Sequence, residues 1–283
     1  MNGNVGLIAM GTLITLAAEA QNSTVIENGA MDLDKHLYDG RAIPQPSLRE
    51  ADVAWSKRIW RIIDVREKLN QPLYYPLKPL QERKSLFDVL KDALLANNLT
   101  AYDNPIFDEE FTVPMLPSQV ASRLVQWDST NTTPDPDNPD IQIPAPIKKE
   151  IASENVKQYL VKEDWFFDKQ RSVLDVRIIG ICPLAEYFND AGDFLGYRRL
   201  FWIYFPEARN VLIHHRTFTR TNYATPISFD DIFIKRMFSS VIVKESNVFD
   251  RSIIDYKSGL ETLLEAEKIK VDISNWESDL WHY

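Results

Sequence analysis

The sequence predicts an α+β protein: a mixed, largely antiparallel sheet flanked by helices, with an extended N-terminal arm. Three observations carry this reading. Strand-like and helix-like periods fall in separate runs instead of alternating strictly. Two apolar runs, Arg171 to Pro183 and Arg198 to Phe205, are joined by the turn-forming Asn189-Asp190-Ala191-Gly192-Asp193, as in an antiparallel hairpin. Helix-start signals stand at Ser47, Ser85 and Ser228.

The elements follow in chain order. Val5 to Ala18 is apolar apart from Thr12 and Thr15, the length of a signal h-region and too short to span a bilayer. Ala18-Glu19-Ala20 fits the small-x-small cleavage pattern, so residues 1–20 read as a signal peptide and Gln21 as the first mature residue. Met1 to Asn4 carries no Lys or Arg, a departure from the usual basic start. Residues 21–46 show no periodicity and read as an extended arm.

Residues 47–127 read as mainly helical. Ser47-Leu48-Arg49-Glu50 has the form of a capping box, and Trp55, Ile59, Ile62 and Ile63 then recur at helical spacing. Trp60 falls off that stripe, which suggests a helix with two apolar faces ending near Asn70, ahead of Pro72. Ser85 caps a second helix carrying Leu86, Phe87, Leu90, Ala93 and Leu94. Residues 128–150 hold Pro134, Pro136, Pro139, Pro144 and Pro146 among aspartates and read as a loop or linker.

Residues 151–283 read as the α+β region, with 47–283 also compatible with one compact domain. Leu174, Val176 and Ile178 share a strand face, and Leu200 to Phe205 is apolar on both faces. Ser228, with Asp230 and Asp231 in the first turn, starts a helix; Val241 to Val243 is a short strand. Ile253, Tyr256, Leu260, Leu263 and Leu264 define a final amphipathic helix reaching Ile269.

Composition limits the function. With 32 basic and 41 acidic residues the net charge is −9, which argues against a nucleic-acid binder. Cys182 is the single cysteine, so no intramolecular disulfide forms, and its Ile and Pro neighbours indicate a buried, inert thiol. No lipobox cysteine follows the signal. The nine glycines are scattered, and no Cys-x-x-Cys, His-Glu-x-x-His or Gly-x-Ser-x-Gly occurs. His214-His215 cannot chelate a metal through both rings on regular backbone. Asp135, Asp137 and Asp140 lack the glycine and final glutamate of a calcium loop. Asp108-Glu109-Glu110 reads as a solvated face. No catalytic, cofactor-binding or metal-ligating residues are assigned.

The aromatics point elsewhere. With 7 Trp, 11 Tyr and 14 Phe, the chain has more large amphipathic side chains than one core readily hides. Trp55, Trp60, Trp165 and Trp281 are the candidate protein contacts, with Trp165-Phe166-Phe167 and Trp276 of the same kind, and the residues equally allow these aromatics to fill core and cover sheet edges.

Several long blocks resemble one known family. These are Trp55 to Asp64, Arg66 to Pro76, Ser85 to Asp88, Lys162 to Leu184, Leu200 to Glu207, Phe229 to Phe233 and Ser239 to Arg251. They are similar to GldN, or PorN, of gliding motility and type IX secretion. The resemblance implies a non-enzymatic periplasmic protein of Bacteroidetes-type bacteria, without cofactor. It implies assembly with a GldK/PorK-type outer-membrane lipoprotein into a ring, through self-association, and work with GldL/GldM-type motor proteins. Membrane contact would then be indirect, through the lipidated partner. The residues themselves also leave open an exported binding module for a ligand or cell-wall polymer, and an exported hydrolase whose site assembles only in three dimensions.

Overall fold

The computed structural model describes residues 41–80, 83–103, 111–128, 132–134, 142–144, 147–189, 192–217 and 227–280. The proposed signal, most of the arm, Asp108 to Glu110, Asp135 to Asp140 and Trp281 lie outside them. In chain order the first elements are β1 (Val53–Asp64), α1 (Gln71–Tyr74), α2 (Leu86–Leu95) and β2 (Ala101–Tyr102). Then come α3 (Pro117–Arg123), β3 (Val125–Asp128), β4 (Thr132–Pro134), β5 (Gln142–Pro144) and β6 (Ile147–Glu150). The second half holds β7 (Val156–Asp168), β8 (Val173–Phe188), β9 (Phe194–Arg199) and β10 (Trp202–Tyr204). It continues with α4 (Phe205–Leu212), α5 (Phe229–Ile234), β11 (Val241–Glu245) and α6 (Leu260–Leu280).

Among the described residues the main sheet has seven strands in the order β11-β1-β7-β8-β10-β2, with β9 also paired to β8. Every strand pair is antiparallel, as expected for an α+β protein. β7 and β8 form the central hairpin, turning at Lys169 to Ser172, where Ser172 takes a left-handed φ of 53°. β8 pairs with β9 across the expected turn, of which Asp190 and Ala191 lie outside the described residues, and the Asp193 N–H donates to Asn189 Oδ1 at 2.7 Å. β3–β6 and β4–β5 are two-stranded ladders within the proline-rich excursion.

Two caps stand where the sequence puts them. Ser85 Oγ accepts the Asp88 N–H at 3.1 Å at the head of α2, and Ser228 Oγ accepts the Asp231 N–H at 3.1 Å at the head of α5. Asp231 returns a bond from the Ser228 N–H, completing the capping box.

The helix expected after Ser47 is a correction. Only a single 3-10 turn forms, at Glu50–Asp52, with no side-chain cap, and Trp55 to Ile63 belongs to β1. Side chains alternate across a strand, so Trp55, Lys57, Ile59, Arg61 and Ile63 share one face while Trp60 and Ile62 share the other. Lys57 and Arg61 interrupt the apolar alternation, because each lies beside a carboxylate on a neighbouring strand. Lys57 Nζ is 2.5 Å from Glu245, and Arg61 Nε is 3.1 Å from Glu163. With those positions charged, the remaining apolar residues imitate a helical spacing.

Two further elements differ from expectation. The run Leu200 to Phe205 yields only the short β10, because Pro206 and Glu207 sit in the first turn of α4 and start a helix instead. The final helix begins later, after a 3-10 turn at Ile253–Asp255 and a break at Gly259 with φ 56°. It then buries Ala266, Ile269 and Ile273, not Leu260, Leu263 and Leu264.

The sheet is covered on one face by two packing groups. α2, α4 and α5 bring Phe87, Leu90, Phe205, Phe229 and Phe233 onto Ile63, Val161 and Ile181. α6 lays Ala266, Ile269 and Ile273 over Ile59 and Ile242. The opposite face gathers Trp60, Leu160, Cys182, Leu184, Trp202 and Phe111. Gly180 allows that contact, since a Cβ there would lie 2.5 Å from the Phe111 ring.

Asn70 locks the turn between β1 and α1. Fully buried, it donates to the carbonyls of Asp64 at 2.8 Å and Ser239 at 2.9 Å, and its Oδ1 accepts the Ser239 N–H at 2.8 Å. Asn70→Ala strands all three backbone groups in the interior. It is expected to cost about 2 kcal/mol or more in denaturant unfolding, whereas the exposed neighbour Leu69→Ala should cost less than about 0.5 kcal/mol.

Candidate interaction surface

Charged groups lie inside this sheet as well as on it. Glu163 of β7 is fully buried on the helix-covered face, between the Arg61 guanidinium of β1 and that of Arg236, just after α5. Arg236 Nη1 lies 2.9 Å from Glu163 Oε1, and its Nη2 donates to Oε2 at 3.2 Å. The indole of Trp165 donates to the same carboxylate at 3.0 Å, and both guanidinium groups stand over its ring, at 5.6 and 5.4 Å. Arg61 Nε and Arg236 Nη1 meet Glu163 at ion-pair distance without hydrogen-bond alignment. Burial pushes the Arg61 guanidinium below its ordinary range, with Glu163 opposing that shift. Two cations, one anion and one indole thus form a closed brace.

The candidate tryptophans sit around it. Trp165 belongs to the brace itself. Trp55 stacks on Trp276 of α6 with ring centroids 4.7 Å apart and an interplanar angle of 22°, and Phe167 meets Trp276 edge-on at 5.7 Å. Trp60, only 7% exposed, packs into the opposite face with Lys244 Nζ 4.7 Å from its ring centroid. Each of the three described candidates therefore has partners within its own chain.

The exposed apolar surface lies nearby in sequence but on other residues. Val248 is 98% exposed, Phe249 71% and Leu260 72%, with Ile254, Leu263 and Leu264 also open to solvent. Arg251 stands over the rings of both Phe249 and Tyr256, at 4.4 and 5.7 Å. Helical geometry puts Leu260, Leu264 and Val271 on the side of α6 opposite Ile269 and Ile273. α6 carries two apolar stripes, and periodicity alone does not reveal which one is core. Exposed Val248 and Phe249 between Asn247 and Asp250 were the available signal.

Of the remaining polar candidates, His214, His215 and Cys182 fall among the described residues. His215 Nδ1 lies 2.9 Å from the Val211 carbonyl at the end of α4, and His214 is exposed. Cys182 is completely buried, and burial pushes its thiol up to about 12, as expected of an inert cysteine. Among the described residues no group of three His, Cys, Asp or Glu side chains is placed to hold a metal.

The family model described as gliding motility associated protein GldN matches residues 48–282. The chain belongs to the GldN family. No individually curated protein matches it. The match takes in β1 through α6, so the brace, the Trp55–Trp276 stack and the exposed strip all lie within the GldN region.

The stack generates a prediction. Trp276→Ala removes the ring that joins α6 to Trp55 and to Phe167 of β7, while leaving the backbone pairing of β7 with β8 intact. Limited proteolysis should then cut within Leu260–Leu280 faster than in wild type, with the sheet strands still protected. Equal cleavage rates would mean that Ile269 and Ile273 hold the helix unaided.

Proposed function

We propose that this GldN-family protein is a non-catalytic structural component of the type IX secretion and gliding-motility machinery. It is exported to the periplasm and held at the outer membrane by a GldK/PorK-type lipoprotein. Repeated copies associate into a ring that works with GldL/GldM-type motor proteins. The family match over residues 48–282 carries this reading, since gliding motility is what the family is described by. The apolar segment ending at Ala18-Glu19-Ala20 supports export.

The exposed strip supports assembly. Apolar residues that stay in water on the isolated chain are available for burial against a neighbour. Phe249, with Arg251 over its ring, combines two residue types that concentrate binding energy at interfaces. Trp55 and Trp165 serve this assembly by fixing the sheet face and α6 beneath the strip, Trp60 packs the opposite face of the same sheet, and Trp281 follows α6 in sequence.

Co-purification from the native envelope tests the proposal. Phe249→Ala combined with Leu260→Ala alters only exposed side chains, so the fold should persist by near-UV circular dichroism. Truncating a side chain at the centre of an interface costs about 2 kcal/mol or more, roughly a thirtyfold drop in affinity, and the lipoprotein partner should no longer co-purify. Undiminished co-purification together with undiminished secretion would remove the strip from the assembly.

A further inference from the structure

A cleft of about 410 Å³ opens beside α1, and its chemistry is the reverse of the chain's. The whole protein carries −9, yet among the described residues the cleft is lined by Lys68, Arg83 and Arg216 and by no carboxylate. Its walls are mostly apolar, formed by Pro72, Tyr75, Pro76 and Leu80. Neighbouring cations are already engaged: Arg66 with Asp64, Lys84 with Asp92, and Lys157 with the Tyr74 hydroxyl. Among the described residues neither Lys68 nor Arg83 makes an ion pair.

The walls are held in place before anything binds. Asn70, just before α1, is fixed by its three backbone bonds, and Leu73 of α1 is buried in the main core. Leu80 and Arg83 exchange backbone hydrogen bonds at 3.0 Å in each direction, closing the far wall. A preformed site avoids the ordering cost that weakens a flexible one. Tyr75 and Leu80 nevertheless remain exposed.

We infer that this cleft is a docking site for an acidic peptide segment of a partner protein, with an apolar side chain inserted against Tyr75, Pro72 and Leu80. Carboxylates on either side of that anchor meet Lys68 and Arg83. A free inorganic anion would answer the cations and leave the apolar walls wet. A flat anionic membrane surface would reach the cations but offer no side chain to the apolar walls of the cleft. A short acidic segment meets both demands, and the electrostatic match favours its encounter and orientation. This inference stands on the cleft alone and does not depend on the assembly proposed above.

The test uses the full chain and a fluorescent, end-capped peptide alternating glutamate with leucine and phenylalanine. One control peptide replaces glutamate by lysine, and a second replaces the apolar residues by serine. Anisotropy should show saturable binding of the acidic apolar probe alone, weakened by added salt. Arg83→Glu and Lys68→Glu should each weaken it about tenfold or more, with circular dichroism showing both variants folded. Leu80→Ser should weaken it as well. Absence of binding, equal binding of the lysine control, reversal variants that bind like wild type, or preference for phosphatidylglycerol vesicles over the peptide would each overturn the inference.

Discussion

The buried carboxylate of Glu163, set between Arg61 and Arg236, is the constraint on which the rest of this fold depends. It lies on the covered face of the sheet between the packing group of α2, α4 and α5 and that of α6. Burying a charge costs several kcal/mol unless partners replace the lost water, and here two guanidinium groups and an indole do so. The arrangement also restricts pairing. Shifting β1 by one residue against β7 would carry Arg61 to the other face and leave Glu163 without it. Apolar side chains alone would tolerate such a slip better.

The adjacent residue repeats the device on the opposite face. Lys162 is also fully buried, with the rings of Trp60 and Phe111 near its ammonium group at 5.8 and 5.4 Å. β7 therefore carries oppositely charged neighbours into both layers. Around this rigid platform the molecule places its open features: the strip from Val248 to Leu264 on the α6 side and the cationic cleft beside α1. Such a division suits a protein of the GldN family if its work is assembly, because weak repeated contacts need surfaces whose geometry does not relax.

How much of this could be read from the residues depends on the range of the interactions involved. Local signals were legible: the caps at Ser85 and Ser228, the chain reversal between β8 and β9 and the buried Cys182 all rest on neighbours in sequence. Long-range charge pairing was not. Lys57 and Arg61 look like the polar side of a helix until Glu245 and Glu163 are brought beside them by strand pairing. Within Lys162-Glu163-Asp164 the first two side chains are fully buried, and Asp164 keeps a partly exposed pair with Arg58. The tryptophans were recognisable as important, but their partners lie far along the chain: Trp276 for Trp55, and Arg236 for Trp165. α6 was legible as a helix and not as an orientation, because its two apolar stripes are equivalent until Ile59 and Ile242 select one.

The role of Glu163 is open to direct comparison with the carboxylate beside it. Equilibrium unfolding of Glu163→Gln and Asp164→Asn would contrast a fully buried carboxylate with one whose ion pair is partly in water. Removing the buried partner should cost about 3 kcal/mol or more, because the nearly buried Arg61 and the partly exposed Arg236 are left facing each other without their shared carboxylate. Removing the exposed one should cost less than about 1 kcal/mol. If the two variants unfold at the same denaturant concentration, the buried brace is not what organises this sheet.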